Sequence, residues 1–485
     1  MKRLIAVCLV LSLFISLVSC GESMVITTTQ SETGEVQTTA ENTGIHDATG
    51  FSVGFSRRSI TPDFSVPLAG YGAATSRMST YVLDDICVTC VAISDGQNKA
   101  LLITQDLVRS DKALTDNVRK QIANATKVPM ENILIAATHT HSSVSPNGNV
   151  DSILLWQKIY YREIVQASKD AIADLDAAEA EIGRIQTTEL AYERRYFDST
   201  GKLILTSQDG SDIVRHESEG DQELQLIRFK RKNQKDVILT NFQAHPTRTG
   251  GQTSTKISSD YIGAFRDYVE KEENALCAFF LGAAGDMNTT SRLAGEVNHT
   301  DYKEYARRLA DFAKDALNDM TPVNTGKIIS ENRICEAWVN HSTDSLADIA
   351  TQIYRLYDQG QSAQAYELCG QNGIADPLAA SMIITRAAAE TSQPMELCGV
   401  AFGDLSFVTE GYEMFSDMQK DIKAQTPFPM TFVLSCSQSA LGYIPTLKAF
   451  ESGGYEVNMC MYVPGTAEMF RDASLDLLQD LHNAS

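Results

Sequence analysis

Four side chains suited to metal binding or acid–base work stand far apart in the chain yet occupy matching positions. His139, His245, Glu413 and Tyr443 each fall just past the C-terminal end of an apolar run that reads as a strand. In α/β sheets that edge is where loops converge and ligands bind. The chain has only eight histidines, so two of them at corresponding strand ends is informative. A third, His141, follows His139 at i, i+2, which on an extended strand puts both imidazoles on one face. Two imidazoles and a carboxylate suit the ligand preferences of zinc, and a tyrosine is a less usual companion. With one position open, such a centre holds a water whose pKa falls toward ~7, a nucleophile at neutral pH.

Each member alone has a plainer reading. An HxH pair at a strand end more often buttresses a loop. His245 before Pro246 can simply end a strand, and Tyr443 can simply pack. Glu413 suits the first turn of a helix, where the dipole favours a carboxylate. Only their coincidence carries weight. No HExxH helix, P-loop, GxGxxG turn or serine elbow is read in the chain, so a serine hydrolase is not expected.

The elements that must position these groups form repeated strand–helix–strand units. Ala100 to Leu107 reads as a buried strand, Ser110 as the cap of a helix with Leu114, Val118 and Ile122 on one face, and Ile133 to Ala137 as the strand ending at Thr138-His139-Thr140-His141. Val237 to Phe242 ends at His245-Pro246. A helix with Ile262, Phe265 and Val269 on one face follows, and Leu276 to Leu281 runs into Gly282-Ala283-Ala284-Gly285-Asp286. Leu397 to Phe402 and Leu405 to Thr409 suggest a hairpin turning at Gly403-Asp404. Glu413 then sits near the start of a helix, and Thr431 to Cys436 is a last strand before the loop with Tyr443. The Ala-rich stretch 346–390 reads as helical, a lid or buttress. This alternation predicts an α/β fold of mixed, largely parallel β-sheets flanked by helices.

Composition and the N-terminus set further bounds. A formal charge of −21 repels nucleic acid and anionic lipid, which excludes DNA and RNA as partners. Cys87 and Cys90 form a CxxC inside an apolar run with no second CxxC, so they read as packing. Lys2 and Arg3 precede an apolar run from Leu4 to Val18, too short for a comfortable membrane span, and Leu17-Val18-Ser19-Cys20 resembles a bacterial lipobox. The expected arrangement is a lipoprotein signal peptide over 1–20 with Cys20 acylated, a flexible Ser/Thr-rich tether over 21–50, and one large domain over 51–485. The expected location is extracytoplasmic, on the cell membrane through the lipid anchor, as a monomer.

Over essentially all of residues 51–480 the chain resembles the catalytic domain of the neutral/alkaline non-lysosomal ceramidases. The resemblance rests on Arg58-Ser59-Ile60-Thr61-Pro62, Pro67-Leu68-Ala69-Gly70-Tyr71-Gly72, Thr138-His139-Thr140-His141-Ser142, Ala244-His245-Pro246-Thr247 with Ser258-Ser259-Asp260, Gly285-Asp286, and Gly442-Tyr443-Ile444-Pro445-Thr446. It implies a ceramidase-like catalytic domain without the C-terminal immunoglobulin-like domain of the long members. It also implies a zinc ion held by His139, His245, Glu413 and Tyr443, and zinc-dependent hydrolysis of an N-acyl amide bond in a lipid-like substrate. Tyr455, twelve residues beyond Tyr443, matches the family tyrosine that helps bind the reacting carbonyl. His141 is then a donor or proton shuttle, and Asp286 an orienter of a ligand histidine. The sequence departs from the family at Asn288, where ceramidases carry a serine, and at Gly411-Tyr412 in place of Pro-Gly. Asn288 is therefore expected to bind substrate rather than attack it. The substrate stays open to another ester or amide, and a catalytically silent surface-binding lipoprotein is the remaining alternative.

Overall fold

Runs of valine, isoleucine, leucine and phenylalanine make the strands, because such side chains fill a pleated surface buried on both faces. The computed structural model describes residues 50–71, 77–109, 111–204, 210–299, 301–439 and 442–485. In chain order the longer elements of the first part are β1 (Ser52–Ser59), β2 (Cys87–Ser94), β3 (Lys99–Gln105), α1 (Lys112–Thr126), β4 (Ile133–Ala137), α2 (Asp151–Ala173), β5 (Asp176–Gln186), β6 (Glu223–Arg231), β7 (Val237–Phe242), α3 (Asp260–Glu273), β8 (Leu276–Leu281) and α4 (Tyr302–Leu317). Their strands form one sheet in the order β8-β7-β6-β5-β1-β2-β3-β4, with the short strand Thr321–Val323 beside β5. A second sheet follows, in the order β9 (Ile328–Trp338), β10 (Ser392–Phe402), β11 (Leu405–Thr409), β12 (Met430–Leu434). Three helices, α5 (Ala347–Asp358), α6 (Ser362–Asn372) and α7 (Pro377–Ala387), lie between β9 and β10, while α8 (Ser416–Gln425) joins β11 to β12 and α9 (Thr466–Ala484) ends the chain.

The two sheets share an interior. Val53, Leu102, Leu134 and Phe280 of the first meet Val400, Phe407 and Phe432 of the second. Helices cover the outer faces: α1 and α2 over β2 to β4 through Val118, Ile122, Trp156 and Ile164, and α3 and α4 over β7 and β8 through Ile262, Phe265 and Leu309. On the other side α8 and α9 cover the second sheet through Met418, Phe470 and Leu477. Each such side chain contributes about 1.5–3 kcal/mol by leaving water. No helix among the described residues is long and apolar enough to cross a membrane.

The sheets are mixed. Parallel pairs occur where a helix returns the chain, β3–β4 through α1, β7–β8 through α3 and β11–β12 through α8. Direct connections give antiparallel pairs such as β2–β3, β6–β7 and β10–β11, so within these two sheets the parallel pairs are those at the three crossovers. Several boundaries shift. Ser110 lies outside the described residues, and Asp111 caps α1 by accepting the Leu114 N–H. The last strand stops at Leu434, and Cys436 turns to φ +51°. The spacing Gly50-Phe51-Ser52-Val53-Gly54 matches GxSxG, but Ser52 lies inside β1, fully buried and paired with Ser94, which is no elbow.

Candidate metal centre

The two histidine motifs fold as one interlocked unit. The His141 N–H donates to the Pro246 carbonyl at 3.1 Å, the Thr140 hydroxyl to the Ser258 carbonyl at 2.8 Å, and the Ser258 N–H to the Ser142 carbonyl at 2.9 Å. Beneath them Asp106, fully buried, takes both guanidinium nitrogens of Arg266 at 3.0 and 2.7 Å and the Thr138 hydroxyl at 3.2 Å. That pair fixes the end of β4, and the chain then turns through His139 at φ +66°, a left-handed conformation unusual for a residue with a side chain. His139 and His141 are thus on a loop and not on a strand, and this turn, rather than strand alternation, brings their rings together.

The imidazoles converge. His139 Nε2 lies 3.0 Å from His245 Nε2, and His141 Nε2 lies 3.3 and 3.1 Å from those two atoms. His139 gives its Nδ1 to the Val108 carbonyl, and His245 gives its Nδ1 to the Ala284 carbonyl at 3.0 Å. A carbonyl only accepts, so each Nδ1 carries the hydrogen and each Nε2 is left to present a lone pair to a metal; without one, burial is outweighed by Cys436 and Glu413, which raise His139 well above its ordinary value, so that it keeps a proton. Two lone pairs facing at 3.0 Å repel unless a cation lies between them. This donor set fits a metal ion.

Glu413 approaches the three histidines, with Tyr443 beside it. Glu413 and Tyr443 are register partners in a parallel pair of two-residue strands, Glu413–Met414 and Tyr443–Ile444, so Glu413 precedes α8 on a strand and does not begin a helix. Glu413 Oε2 is buried, without an aligned hydrogen bond, at 3.3 Å from His139 Nε2 and 3.8 Å from His245 Nε2. Burial alone would raise its pKa, but His139, His245 and the Tyr443 hydroxyl hold it below the usual carboxylate range. Burial, then Glu413, push the Tyr443 phenol well above its ordinary value. Burial and neighbouring His139 pull His141 down to about 3 and take His245 well below its usual value.

The other expected residues are placed as follows. Tyr455 stands edge-on to Tyr443, ring centres 5.6 Å apart, and burial then Glu413 push it up to about 12. Asn288 bridges to His245 as its backbone neighbour and accepts the Thr289 N–H on its own Oδ1. Asp286 reaches the site by a different route from the expected one. Its carboxylate takes the Ser416 N–H at 2.7 Å and hydroxyl at 3.0 Å, pinning the segment behind Glu413, while the carbonyl of Ala284 orients His245. Gly285 is required there, since a Cβ would strike the Glu413 carbonyl. Cys20 lies outside the described residues.

Two residues escaped the sequence reading. Arg194 is buried, donates to the Tyr443 hydroxyl at 3.2 Å and to Glu456 at 3.0 Å, and lies over the Tyr443 ring. The adjacent pair Arg194-Arg195 between aromatic residues was its one visible signal. Tyr71 packs edge-on against His141 with ring centres 5.0 Å apart, and Gly70, at φ +103°, lies where a Cβ would come within 2.8 Å of that imidazole.

Known structures share this architecture. The crystal structure of the neutral ceramidase from Pseudomonas aeruginosa is similar with a TM-score of 0.67 at 15% identity, covering 90% of this chain and 75% of that one. A ceramidase complexed with C2 is similar with a TM-score of 0.66 at 14% identity, covering 90% of this chain and 76% of that one. The family model described as neutral/alkaline non-lysosomal ceramidase, N-terminal, matches residues 51–406. That stretch carries both histidine motifs and most of the two sheets, and on this match the chain belongs to the neutral/alkaline non-lysosomal ceramidase family.

Proposed function

We propose that this ceramidase-like hydrolase is a zinc-dependent amidohydrolase that splits the N-acyl amide bond of ceramide or a closely related lipid. The observation that carries the reading is the approach of three imidazole Nε2 atoms within 3.0–3.3 Å, two of them on rings whose Nδ1 is engaged by a carbonyl, beside a buried carboxylate. His139, His245, Glu413 and Tyr443 would hold the ion, with His141 close enough to join them. When bound, zinc supplies Lewis acidity to the water nucleophile and to the reacting carbonyl.

The chain's own groups do the rest. Tyr455, a protonated phenol at neutral pH, donates a hydrogen bond to the carbonyl oxygen as negative charge builds there; such a preorganised donor contributes roughly 3 kcal/mol. Arg194 holds Tyr443 in place and adds a fixed positive charge to a buried site. His141 is neutral, and its Nδ1 is buried without a partner, so it is free to take a proton and return it to the leaving amine. Asn288 already uses Oδ1 locally, which leaves its N–H2 group to donate to substrate. It cannot act as a nucleophile.

Elemental analysis of purified protein, paired with ceramide hydrolysis before and after chelation, tests this reading. One zinc per chain, activity lost to the chelator and restored by zinc, and loss of both metal and turnover in His245→Ala are expected. Hydrolysis that survives in His245→Ala would sink the zinc mechanism. Asn288 favours a second reading, a related ester or non-sphingoid N-acyl substrate, and a panel of ceramides, fatty amides and esters separates the two.

A further inference from the structure

Apolar side chains gather on the solvent side of the two segments that frame His141. Residues 66–71 and 77–83 lie against the histidine loops: Ala69 donates to the Ser143 carbonyl, Ser145 to the Pro67 carbonyl, and the buried Arg77 reaches the Gly251 and Ser254 carbonyls. From there the chain crosses the surface through Met78, Tyr81, Val82 and Leu83, all exposed, Tyr81 by 54%. Tyr81–Val82 is a two-residue strand bound only along Lys256–Ile257, and both of its side chains face water. The second segment begins nine residues after His141. There Val150 and, in the first turn of α2, Leu154 and Leu155 are 42–48% exposed.

The pattern along α2 is abnormal for a surface helix. Its inner stripe, Ile153, Trp156, Tyr160 and Ile164, is buried in the core. Its outer stripe reads Asp151, Leu154, Leu155, Lys158, Arg162, the half-buried Val165 and Lys169, so its exposed apolar side chains, Leu154 and Leu155, stand near the end that follows the histidine motif and cations lie beyond. A helix serving only to cover a sheet would be polar along that whole stripe. Of the thirteen large apolar side chains exposed among the described residues, seven fall in these two stretches, a clustering that marks an interaction surface.

We propose that this rim docks on an uncharged or zwitterionic lipid surface and delivers a bilayer-held substrate to the metal centre. The choice of occupant rests on the amidohydrolase reading; the rim itself does not. Charge selects the lipid. Around the rim Asp84, Asp85 and Asp151 are offset by Lys158 on α2 and by Lys256, the register partner of Tyr81, while Arg77 is buried, so the rim carries little net charge and suits an uncharged or zwitterionic headgroup better than an anionic one. Tyr81 is amphipathic, with a ring for the acyl boundary and a hydroxyl for the headgroups.

Flotation with phosphatidylcholine vesicles tests the rim, using the chain from Gly21 onward, which keeps every described residue and omits the acylation site. The unsubstituted chain is expected to float. Leu154→Glu with Leu155→Glu, and separately Tyr81→Glu with Val82→Glu, should each lower the bound fraction about tenfold, since each pair exchanges two apolar contacts for two charges facing lipid. Both variants should hydrolyse a water-soluble short-chain amide within about twofold of the parent, which also reports that they fold, while KM for vesicle-held ceramide rises. Equal flotation of parent and variants, flotation that needs phosphatidylglycerol, or no flotation of the parent overturns the proposal. Vesicle binding with no hydrolysis of either substrate counts against the amidohydrolase instead and leaves the rim standing.

Discussion

At the scale of single residues, the histidine cluster separates imidazoles whose Nδ1 is engaged from one whose Nδ1 is not. The Nδ1 atoms of His139 and His245 are committed to carbonyls, whereas His141 keeps a buried Nδ1 without a partner. Replacing His141 with Ala should therefore lower kcat by roughly 10²–10⁴, the range of a lost general acid–base group, and leave zinc content near one per chain. Loss of zinc in that variant would instead make His141 a ligand. Tyr455→Phe removes one donor to the developing oxyanion and should cost about 10²-fold in kcat with KM little changed, read from steady-state rates on a soluble amide. His139, His245, Glu413 and Tyr443 were legible in the sequence because each ends a recognisable apolar run. Arg194 and Tyr71 were not, because a buried arginine has no local pattern and finds its partners, Tyr443 and His141 respectively for the two residues, across long stretches of chain.

At the scale of elements, buried ionisable groups tie the site to the sheets. The pair Asp106–Arg266 joins the end of β3 to α3 with both partners out of water. Removing one side leaves an uncompensated buried charge, so Arg266→Leu should lower unfolding free energy by about 3–5 kcal/mol in urea titrations, and zinc binding should weaken as the Thr138 turn loosens. Glu410, just beyond β11, docks against α9 through the Ser474 hydroxyl, and burial pushes its carboxyl up to about 8 with the hydroxyl tempering the shift. A carboxyl whose folded pKa exceeds its unfolded value binds more protons when folded, so its contribution is fully present below about pH 4.5 and is lost as pH rises to about 8. Glu410→Gln should flatten that decline, with urea midpoints converging on those of the parent at acid pH and exceeding them at pH 8–9. Strands β4, β7, β8 and β11 were legible to the residue, since short apolar runs bounded by turn residues have few other uses. The hairpin turning at Gly403-Asp404 was legible too, but the short strands at Glu413 and Tyr443 were not, because two-residue pairings are set by tertiary neighbours such as Gly285 and Gly442.

At the scale of the molecule, the direction of β1 bears on how the enzyme meets its substrate. β1 begins at Ser52 opposite Ser94 and ends at Ser59 opposite Cys87, and β2 in turn places Val88 beside Gln105, the residue at the histidine end of β3. The chain therefore comes into the domain at the sheet end remote from His139, with β1 about 26 Å long between the two ends. If residues 21–50 form the tether expected from their composition, such a segment would span roughly 30 Å on average. If Cys20 is also acylated as the sequence leads us to expect, a reach comparable with the length of β1 would allow the histidine end to meet the anchoring membrane. Tether length then becomes a kinetic variable. Deleting residues 26–41 should slow hydrolysis of ceramide in the anchoring membrane severalfold while leaving dispersed substrate unaffected, and lengthening the tether with Gly-Ser repeats should restore the rate. Equal rates on membrane-held substrate across tether lengths would mean that the domain takes lipid from a separate surface. Cys20→Ser discriminates further, because it should release the protein from the membrane fraction and make both tether series behave alike.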